Sequence, residues 1–181
     1  MFKRFDPSDC STSSQVKSSV QRVIKSKICS TNPSLLPLID TLLPKKPPLV
    51  QYKSGPHLTI YCRGPEPLFF EHRDGPILPT LRFVHKYPEL WTTYTVDKGA
   101  IPFVLGGANI MCPGLTNPGG EMGVELEEGA SVVIKAEGKE NAIAVGTLKM
   151  SSEDIRGKNK GIGIVVDHFL GDGLFQTKEI N

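Results

Sequence analysis

The chain has 181 residues, 39% of them hydrophobic and 22% charged, with a formal net charge of +2 at neutral pH. These values exclude collagenous, low-complexity and strongly acidic disordered chains, and the length suits one sizeable core or two small ones. No apolar run approaches the roughly 20 residues of a membrane-spanning helix, and the opening MFKRFDPSDC turns polar without the apolar stretch of a secretory signal, so a cytoplasmic protein with no membrane contact is expected.

From the N-terminus, Ser13 and Ser14 are candidate caps for a helix carrying Val16, Val20, Val23, Ile24 and Ile28 at helical spacing, with Lys17, Lys25 and Lys27 on its other faces. After Asn32-Pro33, Ser34 can cap a short second helix in SLLPLIDTLL, with Pro37 in its first turn and PKKPP ending it. The period then changes. LVQYKSG, HLTIYCRG and PLFFEHRDG are short, β-prone and punctuated by Gly or Pro, and Leu58, Ile60 and Cys62 alternate onto one face. PTLRFVHKYPEL predicts a third helix from about Thr80, stopped before Pro88.

Beyond WTTYT, the segments SVVIKAEG, AIAVGTLKM, GIGIVVDHFL and GLFQTKEI are candidate strands, and SSEDIRGKNK is a helical turn leading into a basic loop. Short strands with frequent glycine turns suggest a barrel. Charge divides at the same place: residues 1–92 hold 13 Lys or Arg against 7 Asp or Glu, a net +6, whereas residues 93–181 hold 8 against 12, a net −4. The fold class is therefore α+β, with a small N-terminal α/β domain over 1–92 and a β-barrel over 93–181. A basic half favours phosphate-rich surfaces, because neutralising phosphates releases condensed counterions.

Cys10, Cys29, Cys62 and Cys112 fit neither a C-x-x-C pair nor a disulfide framework. Reduced thiols serving as small apolar residues are expected, with no metal and no cofactor. His57, His72, His85 and His168 have no neighbouring nucleophile pattern and no H-E-x-x-H pair, so no catalytic residue and no enzyme activity are expected.

The most informative stretch is VDKGAIPFVLGGANIMCPGL, residues 96–115. It lacks the G-K-[ST] of a phosphate-binding loop, and its Cys-Pro-Gly breaks the helix that a dinucleotide fingerprint must open. What remains is Lys98 beside Gly99 and Ala100, an apolar turn, then Gly107, Ala108 and Asn109, an apolar strand of Ile110 and Met111, and Pro113-Gly114. Small residues let a ligand backbone come close to peptide N–H groups. Single-stranded RNA is recognised in this way, with phosphates on main-chain N–H groups and Lys and with unstacked bases on apolar or planar groups. Each residue also has a plainer role: the glycines as turns, Ile110 and Met111 as core, and Lys98 as a solvated partner of Asp97.

KGAIPFVLGGANIMCPG, with NKGIGI and the closing HFLGDGLF, resembles the PUA domain, an RNA-binding barrel. MFKRF, LLPKK, LFFEHRDGPILPTLRFVHKYP and MSSEDI extend the resemblance to the malignant T-cell-amplified sequence family over nearly the whole chain. The resemblance implies a non-catalytic translation factor made of an N-terminal α/β domain and a PUA barrel. Its implied partners are a density-regulated-protein homologue, the small ribosomal subunit and the 3′ end of tRNA. Its implied work is tRNA placement or release, non-canonical initiation, recycling and reinitiation. Carried onto this sequence, the RNA motif comprises Lys98, Gly99, Ala100, Gly107, Ala108, Asn109, Ile110, Met111, Pro113 and Gly114, with Lys160, Gly161 and Gly163 on a facing strand and His168 near the same cleft.

Phe103 is either a core aromatic or an exposed anchor for the protein partner, and the anchor is favoured because Ile101, Val104 and Leu105 already supply the other side of a short helix. Glu121, Glu125, Glu127 and Glu128 would repel phosphate if they lay near the cleft, although a solvated loop is the simpler reading. Pro102 stands where a polar residue would suit RNA better. The rival class is a PUA-containing accessory subunit in ribosome biogenesis or RNA modification.

Overall fold

The structure, a computed structural model, describes residues 1–181. The first sheet contains β1 (Cys10–Gln15), β2 (Leu49–Ser54), β3 (Leu58–Arg63), β4 (Glu66–His72) and β5 (Ile77–Pro79), in that spatial order and antiparallel throughout. Tight turns at Gly55 and Gly64, with φ of 61° and 58°, connect β2 to β3 and β3 to β4, a backbone that costs glycine nothing. Helix α1 (Ser18–Thr31) packs against β5, α2 (Ile39–Leu42) adds Ile39 and Leu42 to the same core, and α3 (Leu81–Lys86) packs beside β4. Thr80 caps α3, its hydroxyl oxygen accepting the Phe83 N–H at 3.3 Å.

Two helix starts differ from expectation. Ser13 and Ser14 lie in β1 opposite Tyr52 and Gln51, because the backbone there bonds to a neighbouring strand and the helix opens only after Lys17, with no side-chain cap. Val16 is buried at the junction, and its N–H donates to Leu49 O at 2.8 Å. The face of α1 turned inward is Gln21, Ile24, Ile28 and Cys29, so Val20 and Val23 are left exposed. Gln21 belongs inside because its amide donates to Pro44 O at 3.0 Å. Ser34 caps no helix either: it sits in a 3-10 turn, Pro33–Leu35, and donates to Leu90 O at 2.9 Å, while α2 begins uncapped.

The second sheet contains β6 (Thr93–Val96), β7 (Ile110–Met111), β8 (Glu121–Met122), β9 (Ser131–Ala136), β10 (Ala144–Leu148) and β11 (Ile162–Phe169), ordered β7-β11-β10-β9-β6-β8. Only β6 and β9 pair in parallel. Four short helices accompany it: α4 (Ile101–Leu105), α5 (Pro113–Thr116), α6 (Ser152–Lys158) and α7 (Gly173–Gln176). Because α5 touches β7 at one end of the sheet and β6 and β8 at the other, the sheet curls into a half-barrel closed by that helix. Tyr94, Val96, Val104, Ile110, Leu115, Ile134, Leu148, Ile155 and Ile164 belong to its core. Inside it the Tyr94 hydroxyl donates to Val124 O and meets Ser152 Oγ, each at 2.6 Å, and Ser152 Oγ accepts the Leu126 N–H at 2.8 Å. The segment carrying the acidic run is thus tied down at Val124 and Leu126.

GLFQTKEI, expected as a strand, is instead α7 followed by an irregular tail. Asp172 decides this locally, its Oδ1 accepting the Phe175 N–H at 2.9 Å as an N-cap does. The tail leaves the half-barrel and packs on the first sheet. Leu174 and Ile180 join the first core, Ile180 N–H donates to Pro65 O at 2.8 Å, and the Tyr52 hydroxyl donates to Ile180 O at 3.2 Å. Residues after Phe169 therefore bind the two sheets together and do not extend the barrel.

Candidate RNA-binding groove

The groove is built around the short α4. A 3-10 turn over Lys98–Ala100 leads into it, held by Asp97, whose Oδ1 accepts the Ala100 N–H at 2.8 Å and whose Oδ2 accepts from Asn117 Nδ2 at 2.9 Å. Pro102 falls in the first helical turn, where its missing N–H is of no consequence. A helix this short has one inward residue, Val104. Phe103 is 66% exposed, so the core reading of Phe103 is wrong.

Across from α4 runs the edge of the half-barrel. Met111 of β7 pairs with Ile162 of β11, and both are large apolar side chains left in solvent, Met111 at 50% and Ile162 at 37% exposure. Between helix and strand edge lies a cavity of about 590 Å³ lined by Gly99, Ala100, Phe103, Ala108, Asn109, Ile110, Met111 and Gly114, all singled out from sequence, and by Asp97, Val104, Asn117 and Ile162, which were not. Ile110 forms buried floor. Asn109 is held by the sheet, its Oδ1 accepting the Val166 N–H at 3.0 Å.

The remaining candidates lie elsewhere. Lys98 stands beside the cavity, its side chain 75% exposed and its Nζ 3.9 Å from Glu137 Oε1. Its N–H donates to Glu137 Oε2 at 3.2 Å, so its ionic neighbour is Glu137 and not Asp97. Lys160 is exposed just before β11 and forms no ion pair; the adjacent Gly161 carbonyl accepts the Cys112 N–H at 2.9 Å. Pro113 opens α5. Gly163 is buried, a Cβ there lying 3.4 Å from Ile155 and Leu115, and so cannot line the groove.

Gly107 is a packing residue. Its φ is 81°, its N–H donates to Val104 O at 2.9 Å, and an added Cβ would lie 2.8 Å from the Phe169 ring. The Gly106 and Ala108 N–H groups likewise bond to carbonyls of α4, at Pro102 and Phe103. These donors close the C-terminus of the helix and are not free to hold phosphate. His168 is fully buried, with its Nδ1 2.8 Å from Asp172 Oδ2 and its ring edge-on to Phe2 and Phe70. It belongs to the junction of the two sheets, not to an RNA surface, because the return of the tail through Asp172 covers it.

Two charged neighbours had no signal in the sequence. Glu137, in the turn after β9, stands beside Lys98, and Lys3, in the N-terminal turn before β1, reaches the end of α4, its Nζ donating to Gly106 O at 3.3 Å. Within the acidic run Glu125 pairs with Arg156 at 2.5 Å, while Glu121 is exposed in β8. Burial pushes the thiols of Cys10, Cys29 and Cys112 up, and that of Cys62 up to about 12, so none is a reactive thiolate at neutral pH. No group of three or more His, Cys, Asp or Glu residues is placed to hold a metal ion. The site offers an apolar slot with cations at its rim and no nucleophile paired with a base.

Residues 5–88 match the model of the Pre-PUA-like domain and residues 93–170 that of the PUA domain. The Malignant T-cell-amplified sequence 1 homologs of Dictyostelium discoideum and Drosophila melanogaster are 48% and 49% identical to this chain, over 99% of it and 100% of each relative. The chain belongs to the malignant T-cell-amplified sequence family. Translation machinery-associated protein 20 of Schizosaccharomyces pombe is 47% identical over 98% of both chains, so family members carry either name. The fold is shared more widely. A hypothetical protein of Pyrococcus horikoshii superposes with a TM-score of 0.75 at 21% identity, covering 92% of this chain and 99% of its own. A PUA domain protein of Aeropyrum pernix does so with 0.69 at 24%, covering 93% and 92%.

Proposed function

We propose that this family member is a non-catalytic RNA-binding factor of the translation machinery, and that the groove between α4 and the β7–β11 edge receives an RNA 3′ end. The observation that carries this is the joint exposure of Phe103, Met111 and Ile162 around one cavity. An unstacked base supplies the flat apolar surface such a slot accepts. Gly99, Ala108 and Gly114 keep bulk out of its walls. Phosphates flanking the base meet Lys98 and Lys160, the Lys98–Glu137 contact being long, solvated and easily exchanged.

The finer reading is that the RNA end is the CCA terminus of tRNA, presented on the small ribosomal subunit during non-canonical initiation, recycling or reinitiation. A density-regulated-protein homologue is the proposed protein partner, anchored by the outer face of Phe103. The names of the translation machinery-associated relatives support this direction, and the exposure of Phe103 supports an anchor.

Affinity capture of the tagged chain from native lysate, with and without RNase, tests the assignment. Recovery of an initiation-factor-like partner that survives RNase, together with small-subunit proteins, is the expected result. Recovery of guide-RNA or subunit-biogenesis proteins in their place would transfer the chain to the accessory-subunit class. At the site itself, Lys98→Glu weakens binding of a minihelix ending in CCA while the thermal unfolding midpoint stays unchanged; equal affinity would remove Lys98 from the assignment.

A further inference from the structure

A second cleft, of about 550 Å³, lies on the opposite sheet, where α3, the β3–β4 turn and the C-terminal tail meet. Two half-buried arginines face it, and both are held in place by main-chain carbonyls. Arg63 donates through Nη1 to Leu42 O at 3.0 Å, and Arg82 through Nε to Phe175 O at 2.8 Å. Neither makes an ion pair. Guanidinium groups fixed by backbone and lacking a carboxylate are poised for an anion, because the entropy of ordering them is already spent and their other N–H groups keep a fork geometry that matches phosphate oxygens.

Lys178 extends the cationic surface from the tail and is unpaired. Lys86 is paired with Glu66, and Glu179 is the other carboxylate present. Four cations thus face two acids. We infer that this cleft is a second RNA contact, binding the phosphodiester backbone of a strand without regard to sequence.

The absence of a base slot favours backbone over nucleotide. Apart from Pro65, Phe175 is the one apolar side chain in the lining; one face is covered by the Arg82 guanidinium, 4.8 Å from the ring centroid, and His85 meets it in a T-shaped contact at 6.0 Å. The cleft thus offers cations more than stacking surface. A phosphopeptide needs one enclosed dianion site, whereas these cations are spread over three segments of an open cleft, as a repeating phosphate chain requires.

The test uses the full chain and a 5′-fluorescent oligouridylate whose 3′ end is blocked by phosphate, so that end recognition at the α4 groove is not read. Anisotropy is followed from about 50 to about 200 mM salt. Lys178→Glu, an exposed change, and Arg63→Gln with Arg82→Gln should each weaken binding at least threefold and flatten the dependence of log affinity on log salt by about 0.7 per lost contact. Because the 3′ phosphate keeps end recognition out of the signal, Lys139→Glu outside the cleft should leave this binding unaltered, and failure here is separate from failure of the groove assignment. The inference is overturned if the slope is unchanged in Lys178→Glu, if Lys139→Glu outside the cleft lowers affinity equally, or if a phosphoserine peptide displaces the RNA.

Discussion

Replacing Gly107 by Ala separates two costs that the structure assigns to different glycines. Gly107 has φ 81° and a Cβ there would lie 2.8 Å and 2.9 Å from two atoms of the Phe169 ring, whereas Gly161 has φ 84° and a Cβ there would meet nothing within 4 Å. Gly161→Ala therefore bears only the left-handed backbone cost, about 1–2 kcal/mol. Gly107→Ala bears that cost and must also displace a ring buried in the half-barrel core, which adds about 1–3 kcal/mol of overpacking. Equilibrium denaturation monitored by the single buried Trp91 should give losses of about 1–2 and about 2–5 kcal/mol with unchanged denaturant slope. Equal losses, or a Gly107→Ala protein within about 0.5 kcal/mol of the parent, would refute the packing role and reopen Gly107 as a ligand-facing residue.

Phe103→Asp should leave stability within about 0.5 kcal/mol of the parent, the usual range for an exposed site, while capture of the protein partner is lost; retained capture by the folded variant would contradict the anchor. Glu137→Gln keeps an acceptor for the Lys98 N–H but frees the ammonium, so affinity for an RNA end should rise about two- to fivefold at low salt and the gain should fade as salt is added. Stability should fall at alkaline pH. Burial holds the Cys62 thiol protonated up to about 12 in the fold against an ordinary 9.0, so the stabilisation is complete below pH 9.0 and is lost as pH rises through about 12. Denaturation between about pH 8 and about pH 11 should show a slope that Cys62→Ala reduces, and an unaltered slope would contradict it.

What was legible in the sequence depended on whether a signal was local. The β2, β3 and β4 segments are each short and bounded by Gly or Pro, and the Thr80 cap lies beside the helix it opens, so these elements could be read directly. Ser13 and Ser14 are good caps by residue type, but their backbone is claimed by β2, about forty residues away in the chain, and a long-range pairing leaves no local mark. The tail failed for a related reason. GLFQTKEI has strand composition, yet Asp172 caps a helical turn and the docking of Ile180 against Pro65 carries the chain off the barrel.

The groove shows the same division. The motif's apolar and small residues marked Phe103, Met111 and their neighbours, because adjacent residues form both of its sides. Glu137 and Lys3 arrive from distant segments and could be found only in the fold, whereas Ile162 lies between the glycines of NKGIGI that the sequence already places on a facing strand. His168 and Gly163 sit in a motif-like stretch but are buried, His168 at the junction of the sheets against Phe2 and Phe70 and Gly163 against Ile155 and Leu115.

On the proposed function an RNA end enters between Phe103 and the Met111–Ile162 edge. The most direct measurement is methyl NMR of protein labelled at Met and Ile side chains, titrated with a minihelix ending in CCA and with the same minihelix lacking that end. Met111 and Ile162 methyl signals should shift with the complete end, not with the truncated one, while Met150 and Ile28 stay in place. Shifts that ignore the 3′ end, or that spare Met111 and Ile162, would contradict it.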